Sequence, residues 1–250
     1  MRSAELDLEH PAPRTSHLAR PALRPAAGTE LLDDPSADPA AVRTSLTNIA
    51  RANRLFGGTA AVLHGVDRLL SPAPSTKNPA LTLLDLGTGA GDIPAALRSW
   101  GAKRGASIRT FGLERLRPAA RMAGTHELPV ALGCVTTLPF RTASVDVVTM
   151  SQVLHHFDRE TSIAVLREAA RVARRGVVVA DLLRSRLAAA LFSVGALALG
   201  FDRQTRVDGV TSVRRGFRPL ELLELFHAAG LSAGLAIRPA WRVVAWGTAP

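Results

Sequence analysis

The chain of 250 residues has no tyrosine, a single cysteine and 4% aromatic residues. With only Cys134, an intrachain disulfide is excluded, and so is any cysteine-based zinc cluster. Few aromatics leave few platforms on which nucleobases could stack. Lysine is nearly absent too: Lys77 and Lys103 are the two present, and arginine carries the remaining basic charge. The net charge is +10, but the arginines are scattered rather than gathered in a run, so no nucleic-acid surface is expected. The N-terminal MRSAELDLEHPAPR lacks the apolar core of a secretion signal, which points to the cytoplasm. The uncharged stretch from Leu187 to Phe201 would span roughly 22 Å as a helix, short of the ~30 Å hydrocarbon core, so no membrane span is expected.

Hydrophobic residues make up 47% of the chain and suffice for a full core. Residues 1–40 are rich in Ala, Pro, Arg and Asp without apolar periodicity, which reads as a disordered tail. Leu46, Ile49, Asn53 and Phe56 share one helical stripe that Gly57 and Gly58 end, and a second helix is expected from Thr59 to Leu70. These helices and the linker after them make a capping unit over 41–78. Residues 79–250 then alternate strand and helix. Strands are expected at Leu81–Leu86, Ile108–Glu114, Val130–Leu132, Val145–Ser151 and Val177–Leu183. Helices are expected at Ile93–Trp100, Pro118–Ala123, Thr161–Ala173 and Pro219–Ala229. Continuously apolar strands such as GVVVADLL suit a parallel sheet covered on both faces. LSAGLAIRP and WRVVAWGT are joined so tightly that they must pair antiparallel. The fold class is therefore α/β, with a doubly wound, mostly parallel seven-stranded sheet and one reversed strand near the C-terminus. Leu187–Phe201 reads first as a buried crossover helix and second as an apolar lid, within an insertion over about 184–216. The charged run that follows, with Arg203, Arg206, Asp208, Arg214 and Arg215, reads as a solvated loop.

The densest chemical signal is LTLLDLGTGAGD, Leu81 to Asp92. A strand runs into Asp85 and then into Gly87, Gly89 and Gly91, and a helix follows at once. That arrangement brings backbone N–H groups and a helix N-terminus to one uncrowded volume. Glu114 closes the next strand, where a carboxylate can accept two bonds from a ribose diol. GCVTTLPF and MSQVLHHF occupy the next two strand ends. The joint placement indicates a nucleotide-type site at the carboxyl ends of the strands.

These residues resemble the class I S-adenosylmethionine-dependent methyltransferases. DLGTGAGD is similar to their first motif, Glu114 to their ribose-binding acid, and LPFRTASVDVVTMSQVLHHF to the loop and fourth strand that follow. The resemblance spans about Leu81 to Thr248 and implies a Rossmann-like sheet, S-adenosyl-L-methionine as cofactor and methyl transfer as activity. By this likeness, the main chain of Gly87, Thr88, Gly89 and Gly91 packs on the methionine part, with Asp85 and Asp92 at its amino end. Glu114 takes the ribose, Arg115 follows it, Cys134 and Val135 flank adenine, and Ser151 borders the sulfonium. The loop resembles that of quinone-pathway methyltransferases, except that Cys134 stands where that subgroup places an aspartate. The C-terminal half and RANRLFGG also resemble a bacterial subgroup associated with type III polyketide synthases.

For a phenol or enol acceptor, His155 and His156 are the base candidates, since histidine titrates near neutrality. The competing reading is that one histidine orients the loop before Asp158, the expected N-cap of the next helix. Asn53, polar on an apolar stripe, is a second candidate. The expected reaction is methylation, at oxygen before carbon, of a small lipophilic natural-product or quinone-like acceptor. No metal is expected, and a homodimer is left open. Two rivals remain: an NAD(P)-dependent oxidoreductase, disfavoured by the G-x-G-x-G spacing, and a catalytically inactive methyltransferase-like partner protein, which the substitution at Cys134 would suit.

Overall fold

The structure is a computed structural model describing residues 28–71, 80–125 and 127–248. The expected linker after Leu70 falls mostly outside the described residues, as does most of the expected tail. A short 3-10 turn, Leu31–Asp33, leads into α1 (Pro39–Leu55) and α2 (Gly58–Leu69). Then come β1 (Ala80–Leu86), α3 (Asp92–Ala102), β2 (Ser107–Glu114), α4 (Arg117–Gly124), β3 (Val130–Leu132) and β4 (Val145–Ser151). A 3-10 turn at Leu154–His156 precedes α5 (Arg159–Val172), β5 (Ala173–Leu182), α6 (Arg186–Ala198), α7 (Arg203–Arg215), α8 (Pro219–Ala228), β6 (Ser232–Arg238) and β7 (Arg242–Thr248).

The seven strands form one sheet in the order β3-β2-β1-β4-β5-β7-β6, parallel except for β7, which runs antiparallel to both β5 and β6. This is the Rossmann-like arrangement expected. Alternating side chains of the central strands feed two separate cores. Leu84, Leu86, Val148 and Met150 face α5 and α8. Leu81, Leu83, Val147 and Val178 face the other way and pack with residues of α2 and α3. Burial on both faces is what the continuous apolar runs require. β1 lies between β2 and β4, so strand order reverses there, and a crevice opens at the carboxyl ends of β1 and β4.

Four expectations are corrected. α2 is less a cap than part of the sheet's helical layer: a Cβ on Gly65 would lie 2.5 Å from a Val178 methyl, so the glycine lets the helix rest directly on β5 and β7. The uncharged stretch is not a buried crossover. α6 leaves Leu187, Leu191, Val194 and Leu197 exposed and packs its small face, with Ala188, Ala189 and Ala196, inward. The charged run after it is no solvated loop but helix α7, capped by Asp202, whose Oδ1 accepts from the Thr205 amide at 3.0 Å. The α6–α7 pair covers the crevice as a helical hairpin. Within the expected tail, residues 28–38 are packed against the domain. No helix among the described residues is long and apolar enough to cross a membrane.

Candidate active site

β1 ends in a loop whose three glycines all adopt left-handed conformations, with φ of +66° at Gly87, +54° at Gly89 and +80° at Gly91. The Gly87 and Thr88 amides donate to the Leu113 carbonyl at 2.9 and 3.2 Å, which ties the loop to β2. A Cβ on Gly87 would come within 2.6 Å of Val153, and one on Gly89 within 3.2 Å of Leu46 on α1. The loop therefore presents bare main chain to a cavity of about 370 Å³, roofed by α1, α6 and α7.

Three carboxylates converge on this loop. Glu114 Oε2 accepts from the Gly89 amide at 3.0 Å, and its Oε1 accepts from the amides of Arg115 and Leu116 at 2.7 and 3.0 Å. Asp85 is buried and accepts from the Thr149 hydroxyl at 2.7 Å. Burial pushes its carboxyl up to about 7; the Thr149 bond opposes this, while the charges of Asp92 and Glu114 add to it. Asp92 Oδ2 accepts from Asn53 Nδ2 at 3.0 Å. Such a loop suits a ligand bearing a cationic amino end and a diol. It is ill suited to a pyrophosphate, which three carboxylates would repel, and this disfavours the NAD(P) reading. The bare cradle, the acidic ring and the unpartnered Ser151 Oγ fit an adenosyl sulfonium cofactor.

The far end of the cavity is built differently. His155 sits on the 3-10 turn after β4, and its Nδ1 lies 2.7 Å from Oδ1 of Asp181 on β5. Both side chains are buried. Burial alone would push the imidazole's pKa down, but the charge and hydrogen bond of Asp181 outweigh it and hold it above the ordinary value. The same pairing holds Asp181 below the usual carboxylate range against burial. His155 Nε2 is buried with no hydrogen-bond partner among the described residues, and the residue lines the cavity. His156 stacks on it with centroids 4.3 Å apart and pairs with Asp33 at 2.8 Å.

The N-terminal segment closes this end. Glu30 accepts from Ser212 Oγ at 2.6 Å and from Arg215 at 3.0 Å, and its Oε1 lies 4.0 Å from His155 Nε2. The Leu31 amide donates to Asp208, and Arg115 donates to the carbonyls of Leu32 and Asp33. Glu30, His155 and His156 bring one ligand-type atom each to within 4.8 Å of one another, but Arg215 already supplies the cation facing Glu30.

The expected site residues thus divide. Asp85, Gly87, Thr88, Gly89, Asp92, Glu114, Cys134, Val135 and Ser151 share the cavity, joined by His155, His156 and Asn53. Gly91, the N-cap of α3, shapes the loop from behind, where a Cβ would crowd Ala123. Arg115 lines the cavity but spends its guanidinium on the N-terminal segment. Asn53 is a bridge, donating to Asp92 and accepting from Gln152, so its amide positions neighbours. Cys134 is exposed, and its sulfur meets the Thr136 hydroxyl at 3.1 Å. Sequence reasoning missed Glu30, Asp33, Asp181 and Arg242. A lone acid in GVVVADLL and a lone cation in WRVVAWGT were the available signals for the last two.

Residues 84–180 match the profile of a family described as a methyltransferase domain. No curated protein sequence matches the chain. Among solved structures, a SAM-dependent methyltransferase from Aquifex aeolicus aligns over 84% of this chain and 97% of its own, at 15% identity and a TM-score of 0.57. An O-methyltransferase from neocarzinostatin biosynthesis, in complex with S-adenosyl-L-homocysteine and 1,4-dihydroxy-2-naphthoic acid, aligns over 89% of this chain and 62% of its own, at 20% identity and a TM-score of 0.59. Magnesium protoporphyrin IX methyltransferase from Synechocystis PCC 6803, with bound SAH, aligns over 77% of this chain and 84% of its own, at 15% identity and a TM-score of 0.52. At these identities the likeness is one of fold, and the family match supplies the activity. Residues 84–180 thus match the methyltransferase-domain family, and that match on this sheet supports S-adenosylmethionine-dependent methyl transfer as the activity.

Proposed function

We propose that the enzyme methylates a hydroxyl oxygen of a small, lipophilic, natural-product or quinone-like acceptor, with His155 as general base. The observation that carries this reading is the buried, unpartnered Nε2 of His155, backed at Nδ1 by Asp181. An acid on Nδ1 holds the neutral ring in the tautomer whose Nε2 accepts a proton, and it stabilises the imidazolium that forms. The cofactor supplies an electrophilic methyl on a good leaving group, so the chain need only hold, align and deprotonate the acceptor. Glu114 would hold the ribose, Asp85 and Asp92 the amino end, and Cys134 and Val135 would flank the adenine. Leu46, Ile49, Phe192 and Phe201 give the acceptor side an apolar lining and keep water from the reacting atoms. The oxygen's proton would pass to Nε2 first, and the resulting oxyanion would take the methyl as the O–C bond forms and the C–S bond breaks. The apolar walls also fit the subgroups noted from the sequence. The 1,4-dihydroxy-2-naphthoic acid in the complex of the neocarzinostatin-biosynthesis enzyme is a hydroxylated aromatic of the same general kind.

The test is methyl-ether formation from a panel of hydroxylated naphthalenes and quinols, followed by mass spectrometry. His155→Gln is expected to lower kcat by about 10²–10⁴-fold with little change in S-adenosylhomocysteine affinity. A variant as active as the wild type would remove the base assignment.

A further inference from the structure

Arg242 opens β7 and is 4% exposed. Its Nε donates to the Phe56 carbonyl at 2.9 Å, where α1 meets α2. Its Nη1 is buried and has no hydrogen-bond partner among the described residues. Asp181 is the acid that bears on it electrostatically, but the two form no ion pair within 4 Å, and that carboxylate is engaged by His155 Nδ1 and the Leu182 amide. A buried guanidinium without a contacting anion is costly, and burial depresses its pKa to about 10. Such a cation persists where something brings the anion to it.

Its position says what does. Arg242 pairs in register with Leu182, the residue after Asp181, and His155, Leu182 and Arg242 all line one cavity. The unpartnered Nε2 that would take a proton and the unpartnered Nη1 that would donate a bond thus belong to two side chains of the same cavity, near the carboxyl end of β5. Of the groups near this end, Arg215 is paired with Glu30 and Asp33, His156 lies 2.8 Å from Asp33, and Asp208 accepts from the Leu31 amide and Gln204.

Building on the O-methylation reading, we propose that Arg242 is the acceptor's anchor and that the natural acceptor carries a carboxylate beside the hydroxyl that receives the methyl group. The guanidinium grips the carboxylate and turns the neighbouring hydroxyl toward His155. A planar donor fork matches a carboxylate better than a lone hydroxyl, so the anchor also selects against simple phenols.

The test uses two probes on the full chain saturated with S-adenosylhomocysteine: 1-hydroxy-2-naphthoate and 1-naphthol, which share ring and hydroxyl but differ in the carboxylate. Titration calorimetry at pH 7.5 is expected to show the hydroxynaphthoate binding about tenfold tighter or more. In Arg242→Met that advantage should vanish while 1-naphthol affinity stays within about twofold; Arg242→Lys should keep part of it. Equal affinities in the wild type overturn the proposal, as does failure of the hydroxynaphthoate to bind, and these results need no variant to fold. A preference that survives Arg242→Met also overturns it. In a parallel turnover assay with S-adenosylmethionine as the methyl donor, methyl ether formed from both compounds, with equal affinities in the calorimetry, sinks the anchor and spares the methylation reading. A carboxylate preference that depends on Arg242, with no ether formed from either compound, does the reverse.

Discussion

Asp85 offers the sharpest quantitative test of the acidic cradle. It is fully enclosed at the end of β1, and burial lifts its pKa from 3.8 to about 7. A folded-state value above the unfolded one means that the folded protein binds the proton more tightly. For this carboxylate, stability is therefore greatest below pH 3.8, declines as pH rises toward about 7, and is flat beyond. At 1.36 kcal/mol per pH unit, the interval corresponds to a cost of about 4 kcal/mol for holding Asp85 ionised in the empty site. Asp85→Asn keeps the shape and an acceptor for the Thr149 hydroxyl but cannot ionise. Urea unfolding should find this variant more stable than the wild type at pH 8 by up to about 4 kcal/mol, and little different at pH 4. S-Adenosylhomocysteine brings an ammonium group to the same loop, which should restore the ionised form. At pH 7 the wild type should then release about half a proton on binding, and the Asn variant close to none. Calorimetry in phosphate and in Tris, whose ionisation enthalpies differ, reads this directly. A binding enthalpy independent of buffer at pH 7, together with no gain in stability at pH 8 in the variant, would refute the argument.

Three further outcomes are expected. Glu114→Ala removes a carboxylate that gathers three amides and faces the ribose position, and should weaken S-adenosylhomocysteine binding by about 1–3 kcal/mol in calorimetry. Replacing Glu30 and Asp33 together by alanine leaves Arg215 and His156 without their acids and should cost about 1–3 kcal/mol, or about 2–4 °C of melting temperature per kcal/mol; acceptor affinity should fall while cofactor affinity holds. The acid limb of kcat/KM should lie above pH 6.5 and move toward lower pH in Asp181→Asn. The groups facing His155 are Asp181 from β5, Glu30 from the N-terminal segment, Arg215 from α7, and its neighbour His156; burial opposes protonation, and the net raised value is set by the acids. By the same sign, protonated His155 stabilises the fold below pH 6.5, and that contribution is lost as pH climbs through the folded value.

What was legible in the sequence was local. The glycine loop, Glu114, the Asp158 cap and the reversed β7 each depend on residues within one strand–loop–helix step, so spacing alone revealed them. What was hidden depends on partners far along the chain. Glu30 looked like part of a polar tail because its bonds to Ser212 and Arg215 cross more than 180 positions. α7 looked like a loop because much of its inward face is polar: Thr205, Asp208 and Ser212 meet Asn48, Leu31 and Glu30, and only Val210 and Val213 join a small apolar cluster with α6. The apolar stretch of α6 looked like core, whereas its small residues pack and its large ones are exposed.

These long-range pairings give the cavity an electrical direction. Asp85, Asp92 and Glu114 ring one end; at the other, Arg215 engages Glu30 and Asp33, His155 engages Asp181, and Arg242 is left without a contacting anion, with Leu46, Ile49, Phe192 and Phe201 in the lining. A methyl leaving a sulfonium for an ionised oxygen joins a cation to an anion and leaves two neutral products. Polar surroundings hold the separated charges and slow such a step; apolar ones favour their union. The cavity uses its charges at the poles, to bind and orient, and its hydrocarbon where the charges must meet. That division explains why three carboxylates and an unmatched guanidinium can line one pocket in one fold: each end is incomplete until a molecule of the opposite sign arrives.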